Sequence, residues 1–183
     1  MSEIYIDKTL YSGKPDDNSR LKKEYAVYDL LDRLEVKYFR IDHDATATMD
    51  DCVEVSKILD VKICKNLFLC NRQKTSFYLL MIPGDKEFHT KDISKQINSA
   101  RLSFADAEYM EKFLDITPGS VSVMGLMNDT DNNVQLLIDS DVLKNEYFGC
   151  HPCINTSSLK IRTNDLTEKI LPAIHHSPII VTL

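Results

Sequence analysis

The chain has 183 residues, is 43% hydrophobic and carries a formal net charge of −6 with a pI near 5.3. That supplies a real core for one domain, and no stretch approaches the run of roughly 20 apolar residues that crosses a bilayer, so no membrane partner is expected. The acidic balance argues against coating nucleic acid along a basic surface, but it leaves room for a protein that grips only an RNA end.

Met1 to Asp7 has neither a basic n-region nor an apolar h-region, so a cytoplasmic location is expected. Five cysteines cannot all pair within one chain, which fits reduced thiols better than a disulfide framework. Neither a repeat nor a low-complexity linker interrupts the sequence, so one domain over residues 1–183 is expected.

The cluster Asp16-Asp17-Asn18-Ser19 is rich in helix N-cap types, and Leu21, Tyr25, Tyr28, Leu31 and Leu34 then recur as one apolar stripe. Lys37 to Asp42 reads as a short strand. A second helix is predicted from Thr48, with Asp51 in capping-box position, burying Cys52, Val55 and Leu59. Residues 63–70 and 77–82 read as two strands joined by a polar link, Asn71 to Ser76, with Pro83-Gly84 ending the second; a hairpin follows from that spacing.

Helices are predicted near Thr90–Asn98 and Ala105–Leu114, with Ala107, Met110 and Leu114 facing inward. Val134–Ile138 alternates as a strand, and Asp139 is placed to cap a short helix through Leu143. A strand near Ile154–Ile161, a helix from about Asn164 to Leu171 and a last strand at Ile179–Thr182 complete the chain. The mixture predicts an α+β (mixed α/β) domain with a central mixed sheet flanked by helices.

Three segments carry chemistry. In the strand at 63–70, alternation puts Lys65 among Ile63, Leu67 and Leu69, an ammonium in an apolar wall, which is costly unless it is paired or opens on a polar cleft. Pro118-Gly119-Ser120-Val121-Ser122 presets a turn in which glycine can take positive φ and present backbone N–H groups, with no bulky side chain in the way. Gly149-Cys150-His151-Pro152 holds a histidine in a backbone geometry restricted by the following proline. Taken singly, each has a plainer reading: an edge lysine, an ordinary turn, a turn histidine.

Together, in order and spacing, they resemble the YbaK-like aminoacyl-tRNA editing-domain family, which includes freestanding prolyl-tRNA deacylases and the editing insertion of bacterial prolyl-tRNA synthetases. The resemblance spans about residues 20–183. It is carried by His43 with Thr48, by Lys65-Asn66-Leu67-Phe68-Leu69, by Pro118 to Ser122, by Gly125-Leu126 with Asn128-Asp129, and by Gly149, His151-Pro152 and Asn155-Thr156.

What the resemblance implies is hydrolysis, in trans, of a mischarged aminoacyl ester on the 3′ end of tRNA, most often alanine on the tRNA for proline. Prolyl-tRNA synthetase would be a possible associate. Lys65, Gly119 and His151 would be the catalytic set: Lys65 orienting the terminal adenosine or the ester, Gly119 giving backbone contacts to the aminoacyl group and water, His151 shaping and polarising the pocket. His43, Thr48, Asn66, Ser120, Ser122, Gly149 and Asn155 would bind substrate. The substrate's own terminal 2′-hydroxyl would help activate water, and neither a metal nor a cofactor is implied.

One departure stands out. The family loop has proline four residues after its glycine, and here that position is Val123. A less preorganised loop would discriminate poorly over one methylene, leaving cysteine or serine as alternatives to alanine.

Two other classes compete. Cys150-His151-Pro152-Cys153 has the form of a thiol redox motif, although it lies late and precedes a strand rather than opening a helix. A non-catalytic module that binds aminoacyl-tRNA or assists a synthetase would carry the same recognition residues. Zinc is disfavoured, since Cys52, Cys64 and Cys70 form no second pair at ligand spacing, and Asn128–Asn133 lacks the glycine and glutamate of a calcium loop.

Overall fold

A computed structural model describes residues 4–46 and 49–183, the side chains of 49–51 excepted. The first helix, α1 (Lys22–Arg33), follows a two-residue strand, β1 (Tyr11–Ser12), and buries Val27, Tyr28, Leu30 and Leu31. Its buried face is rotated from the predicted stripe. Leu21 is the extended N-cap residue and stays exposed, because helical geometry begins only after it.

Beyond β2 (Tyr38–Asp42), α2 (Met49–Leu59) buries Cys52, Val55 and Leu59 against Ile41 and Ile63 as expected. Thr48 and the side chain of Asp51, the predicted cap, lie outside the described residues. Strands β3 (Cys64–Asn71) and β4 (Phe77–Pro83) form the antiparallel hairpin, with Lys65 opposite Ile82.

The helix α3 (Thr90–Gln96) precedes β5 (Leu102–Phe104), a strand the alternation did not reveal because two of its three residues are exposed. In α4 (Ala107–Leu114), Met110 and Leu114 are buried. Ala107 is exposed, contrary to expectation; Ala105, ahead of the helix, packs on the core instead.

A 3-10 segment, Val123–Asn128, leads to β6 (Val134–Asp139) and a 3-10 turn, Val142–Lys144. Asp139 does not cap that turn by way of its start; its carboxylate accepts from the Asp141 N–H at 2.8 Å. Strands β7 (Tyr147–Cys150) and β8 (Ser157–Arg162) stand where one strand was predicted, since residues 151–156 turn the chain back on itself. Two short helices, α5 (Thr163–Asp165) and α6 (Leu171–Ala173), flank a π-helical turn, Leu166–Ile170, before β9 (Ile179–Val181).

The class is α+β, and its strands divide between two sheets. One is antiparallel, ordered β1-β2-β8-β7; the other is mixed, ordered β5-β3-β4-β6-β9, with β6 parallel to both β4 and β9. They abut where Ile63 bridges Gly149 and the Gly149 N–H donates to the Lys62 carbonyl at 3.0 Å. A β-carbon on Gly149 would lie 2.9 Å from Ile63 Cγ1 and 3.1 Å from Ile63 Cα, so this seam closes only around glycine.

The two faces of β3 serve different cores, which is why both had to be apolar. Cys64, Phe68 and Cys70 join the main core with α1, α4 and the antiparallel sheet. Leu67 and Leu69 join Leu80, Ile82 and Ile93 under α3. Residues 69–71 pair with β5, and among the described residues no strand pairs with 65–67 on that edge. A cavity opens along this uncovered half.

Candidate active site

A cavity of about 250 Å³ lies against the start of β3. Its wall includes Thr46, Cys52, Ile63, Lys65, Asn66, Gly119, Val121 and His151. Residues separated by more than a hundred positions thus share one small space. A larger hollow of about 470 Å³ adjoins it through Cys52 and Ile63, with Lys57 and Lys62 on its rim.

Lys65 is half-buried and its ammonium donates to the Lys86 carbonyl at 3.0 Å. An ammonium has three N–H donors, so two are left for other acceptors. Asn66 donates from Nδ2 to the Cys64 carbonyl at 3.4 Å, whereas its buried Oδ1 has no partner among the described residues. A buried acceptor without a donor is rare in folded proteins, and on a cavity wall it is suited to receive an N–H or O–H from a ligand.

Gly119 sits at φ +88°, in the region that favours glycine, and a β-carbon there would meet only Asn155 Nδ2 at an ordinary 3.5 Å. Backbone conformation rather than crowding therefore calls for glycine at this position. The loop is fixed just beyond. Ser122 Oγ donates to the His151 carbonyl at 2.6 Å and accepts from the Met124 N–H at 3.2 Å, capping the 3-10 segment. Those bonds tie the glycine loop to the histidine turn and hold the loop where Val123 replaces proline.

His151 is buried and its protonation follows from its partners. Nδ1 lies 2.8 Å from the Ser157 carbonyl, which can only accept, so Nδ1 carries the proton. Nε2 then presents a lone pair, 3.5 Å from Thr46 Oγ1 at the cavity wall. Burial lowers the His151 pKa to about 4, outweighing the Ser157 carbonyl, so the ring is neutral at neutral pH.

Behind it, Ser158 Oγ is 3.4 Å from His151 Nδ1 and 2.9 Å from His43 Nε2. His43 Nδ1 is 2.8 Å from the Asp44 carbonyl, which fixes its tautomer the same way, and burial lowers its pKa too. Thr46, His151, Ser158 and His43 form one hydrogen-bonded row leading away from the cavity.

Thr46 reaches the site because the β2–β8 ladder continues past its last pair: the His43 N–H donates to the Thr156 carbonyl and the Thr46 N–H to the Asn155 carbonyl, both at 3.0 Å. Asn155 braces the same strip, Nδ2 donating to the Thr46 carbonyl at 3.2 Å. Of the residues proposed from sequence, Lys65, Asn66, Gly119 and His151 line the cavity. His43, Ser122, Gly149 and Asn155 stand behind its walls, and Ser120 is buried next to Gly119. Thr48 lies outside the described residues.

Sequence reasoning passed over Thr46, Val121 and Lys86. Thr46 lies within two residues of Thr48 and had no separate signal. Lys86 acts through a backbone carbonyl, which no residue type announces.

The Cys-x-x-Cys segment is not built for redox work. Cys150 ends a strand and Cys153 lies in the following turn, both buried. Burial pushes the Cys150 thiol up and the Cys153 thiol up to about 12, the reverse of an activated thiolate.

The model of the aminoacyl-tRNA editing domain matches residues 43–169. The chain belongs to this family. A prolyl-tRNA editing protein, ProX, of Acetoanaerobium sticklandii is 31% identical over 148 residues, covering 81% of this chain and 90% of that protein. Prolyl-tRNA synthetase associated domain-containing protein 1 of Danio rerio is 24% identical over 164 residues, covering 88% and 87%. A solved structure described as a candidate trans-editing enzyme for prolyl tRNA synthetase superposes with a TM-score of 0.67 at 13% identity. That superposition covers 90% of this chain and 99% of the other, and the fold is shared. No helix among the described residues is long and apolar enough to cross a membrane.

Proposed function

We propose that this editing domain is a deacylase that hydrolyses mischarged aminoacyl-tRNA in trans, with alanyl-tRNA for proline as its substrate. The observation that carries the reading is the meeting of Lys65, Asn66, Gly119 and His151 around one cavity of about 250 Å³. That is below the roughly 300–1,000 Å³ of drug-sized sites, a space suited to a small aminoacyl group. The ProX relative, a prolyl-tRNA editing protein, supports the same choice of tRNA, and makes prolyl-tRNA synthetase a natural associate.

In this scheme the single-stranded 3′ end enters along the adjoining hollow, past Lys57 and Lys62, and the Lys65 ammonium holds the terminal nucleotide or the ester. Water adds to the ester carbonyl carbon. The negative charge that develops on the carbonyl oxygen is met by backbone N–H donors of the Gly119 turn other than that of Ser120, which is given to the Thr117 carbonyl at 3.1 Å. The terminal 2′-hydroxyl assists water's deprotonation, and the 3′-oxygen leaves with a proton, giving free amino acid and tRNA.

His151 enters as a neutral acceptor: Nε2, through Thr46, orients the polar groups of substrate or water. An aminoacyl ester is already activated, so placement and charge stabilisation supply much of the acceleration.

The test is hydrolysis of alanyl-tRNA for proline by wild type and Lys65→Ala, beside cysteinyl and seryl esters of the same tRNA. Turnover of the alanyl ester by wild type, lost at least a hundredfold in Lys65→Ala, is expected. Binding of the charged tRNA without turnover by wild type would overturn the deacylase reading.

A further inference from the structure

The one hydrogen bond the Lys65 side chain makes among the described residues runs to the Lys86 carbonyl, in the loop between β4 and α3. That carbonyl is not free to wander. The Lys86 side chain lies across the ends of β4 and β6, which run parallel and so finish at the same edge of the sheet. Its ammonium contacts both carboxylate oxygens of Asp139 at 2.9 Å and Asp141 Oδ2 at 2.7 Å.

Asp139 is fully buried at the end of β6 and is held in turn by the N–H groups of Asp141 at 2.8 Å and Leu183 at 3.0 Å. Asp141 is further tied to Lys144 at 2.6 Å. A backbone bond, the Lys86 N–H to the Pro83 carbonyl at 3.1 Å, also holds the turn.

We propose that Lys86, anchored by Asp139 and Asp141, is a positioning residue for Lys65: its charged side chain pins the loop whose carbonyl aims the Lys65 ammonium into the cavity. A flexible four-carbon stem has many rotamers, and a carbonyl at a fixed point selects one of them. Loss of the anchor frees the loop, and the ammonium spreads over several placements. Displacement of a reacting group by about 1 Å can cost on the order of 10²-fold in rate. The effect belongs in kcat/KM, since the ammonium that is misplaced is the one that holds the substrate and lines the cavity.

For its kinetic arm the inference rests on the deacylase reading, and a second arm does not. In 15N-labelled protein at low temperature, an ammonium held by a carbonyl gives an observable lysine Nζ signal, whereas a freely swinging one exchanges too fast with water. The Lys65 signal, assigned by its loss in Lys65→Arg, is expected in wild type, absent in Lys86→Met and restored in Lys86→Arg. On alanyl-tRNA, kcat/KM is expected to fall at least tenfold in Lys86→Met and to recover to within threefold in Lys86→Arg.

If Lys86→Met does not fold, by circular dichroism, Asp141→Asn takes its place and should shift both readouts the same way by less. A Lys65 signal unchanged in the anchor variant overturns the proposal, as does unchanged kcat/KM. If wild type turns over no aminoacyl ester, the deacylase reading fails while the Nζ signal still decides the anchor.

Discussion

Replacing His151 by glutamine should flatten the dependence of folding stability on acid. The histidine has an unfolded pKa of 6.5 and a folded value of about 4, because burial disfavours its charged form. The unfolded chain therefore binds a proton here as pH falls below 6.5, and the folded protein does not until about 4. The site's contribution is complete above 6.5 and is lost progressively on the way down to 4.

At 1.36 kcal/mol per pH unit, the span from 6.5 to about 4 is worth about 3 kcal/mol, of which roughly 2.5 is lost between pH 7.5 and 4.5. Urea unfolding at those two pH values, for wild type and His151→Gln, gives the comparison. The carboxylates are common to both, so their share cancels in the difference; His43, joined to His151 through Ser158, is followed by its own imidazole resonance in both proteins. Wild type should lose about 2.5 kcal/mol more than the variant over this interval. Equal losses, or an imidazole resonance of His151 titrating near 6.5, would refute a neutral, desolvated ring.

Three further outcomes follow from the same geometry. Gly149→Ala places a β-carbon against Ile63 at the seam of the two sheets and should cost about 1–3 kcal/mol in urea unfolding; wild-type stability would mean the seam yields easily. Val123→Pro should be accepted, since Val123 is the first residue of its 3-10 segment and Ser122 before it is extended at φ −145°, ψ 146°. Its unfolding free energy should stay within a few tenths of a kcal/mol of wild type or rise by up to about 1 kcal/mol, and a loss beyond about 2 kcal/mol in chemical denaturation would contradict the loop geometry. Cys150 and Cys153 should react with a thiol reagent only as fast as the native protein opens, so rapid labelling of either at neutral pH would restore the redox reading.

Much of the candidate site was legible because it is lined by residue types that are expensive where they stand. A lysine among β-strand apolars, a glycine after proline and a histidine before proline each need a reason, and three such reasons in register led to one family. The ladder strands and the buried faces of α2 and β3 were readable from spacing alone, since a period of two or of 3.6 is imposed by backbone geometry. Short strands escaped notice. β5 is mostly exposed and β7 runs into a turn, so neither shows a full alternation.

Chain composition and order settled that this is an α+β domain, which residues it offers for chemistry, and that its five cysteines cannot all pair with one another. Only the folded arrangement decided which of those residues meet. Strand pairing carries Thr46 to His151, closes β7 on Ile63 through Gly149, and sets the Lys86 carbonyl under the Lys65 ammonium. Such contacts join positions far apart in the chain or pass through backbone atoms common to every residue, so no local pattern of side chains can encode them.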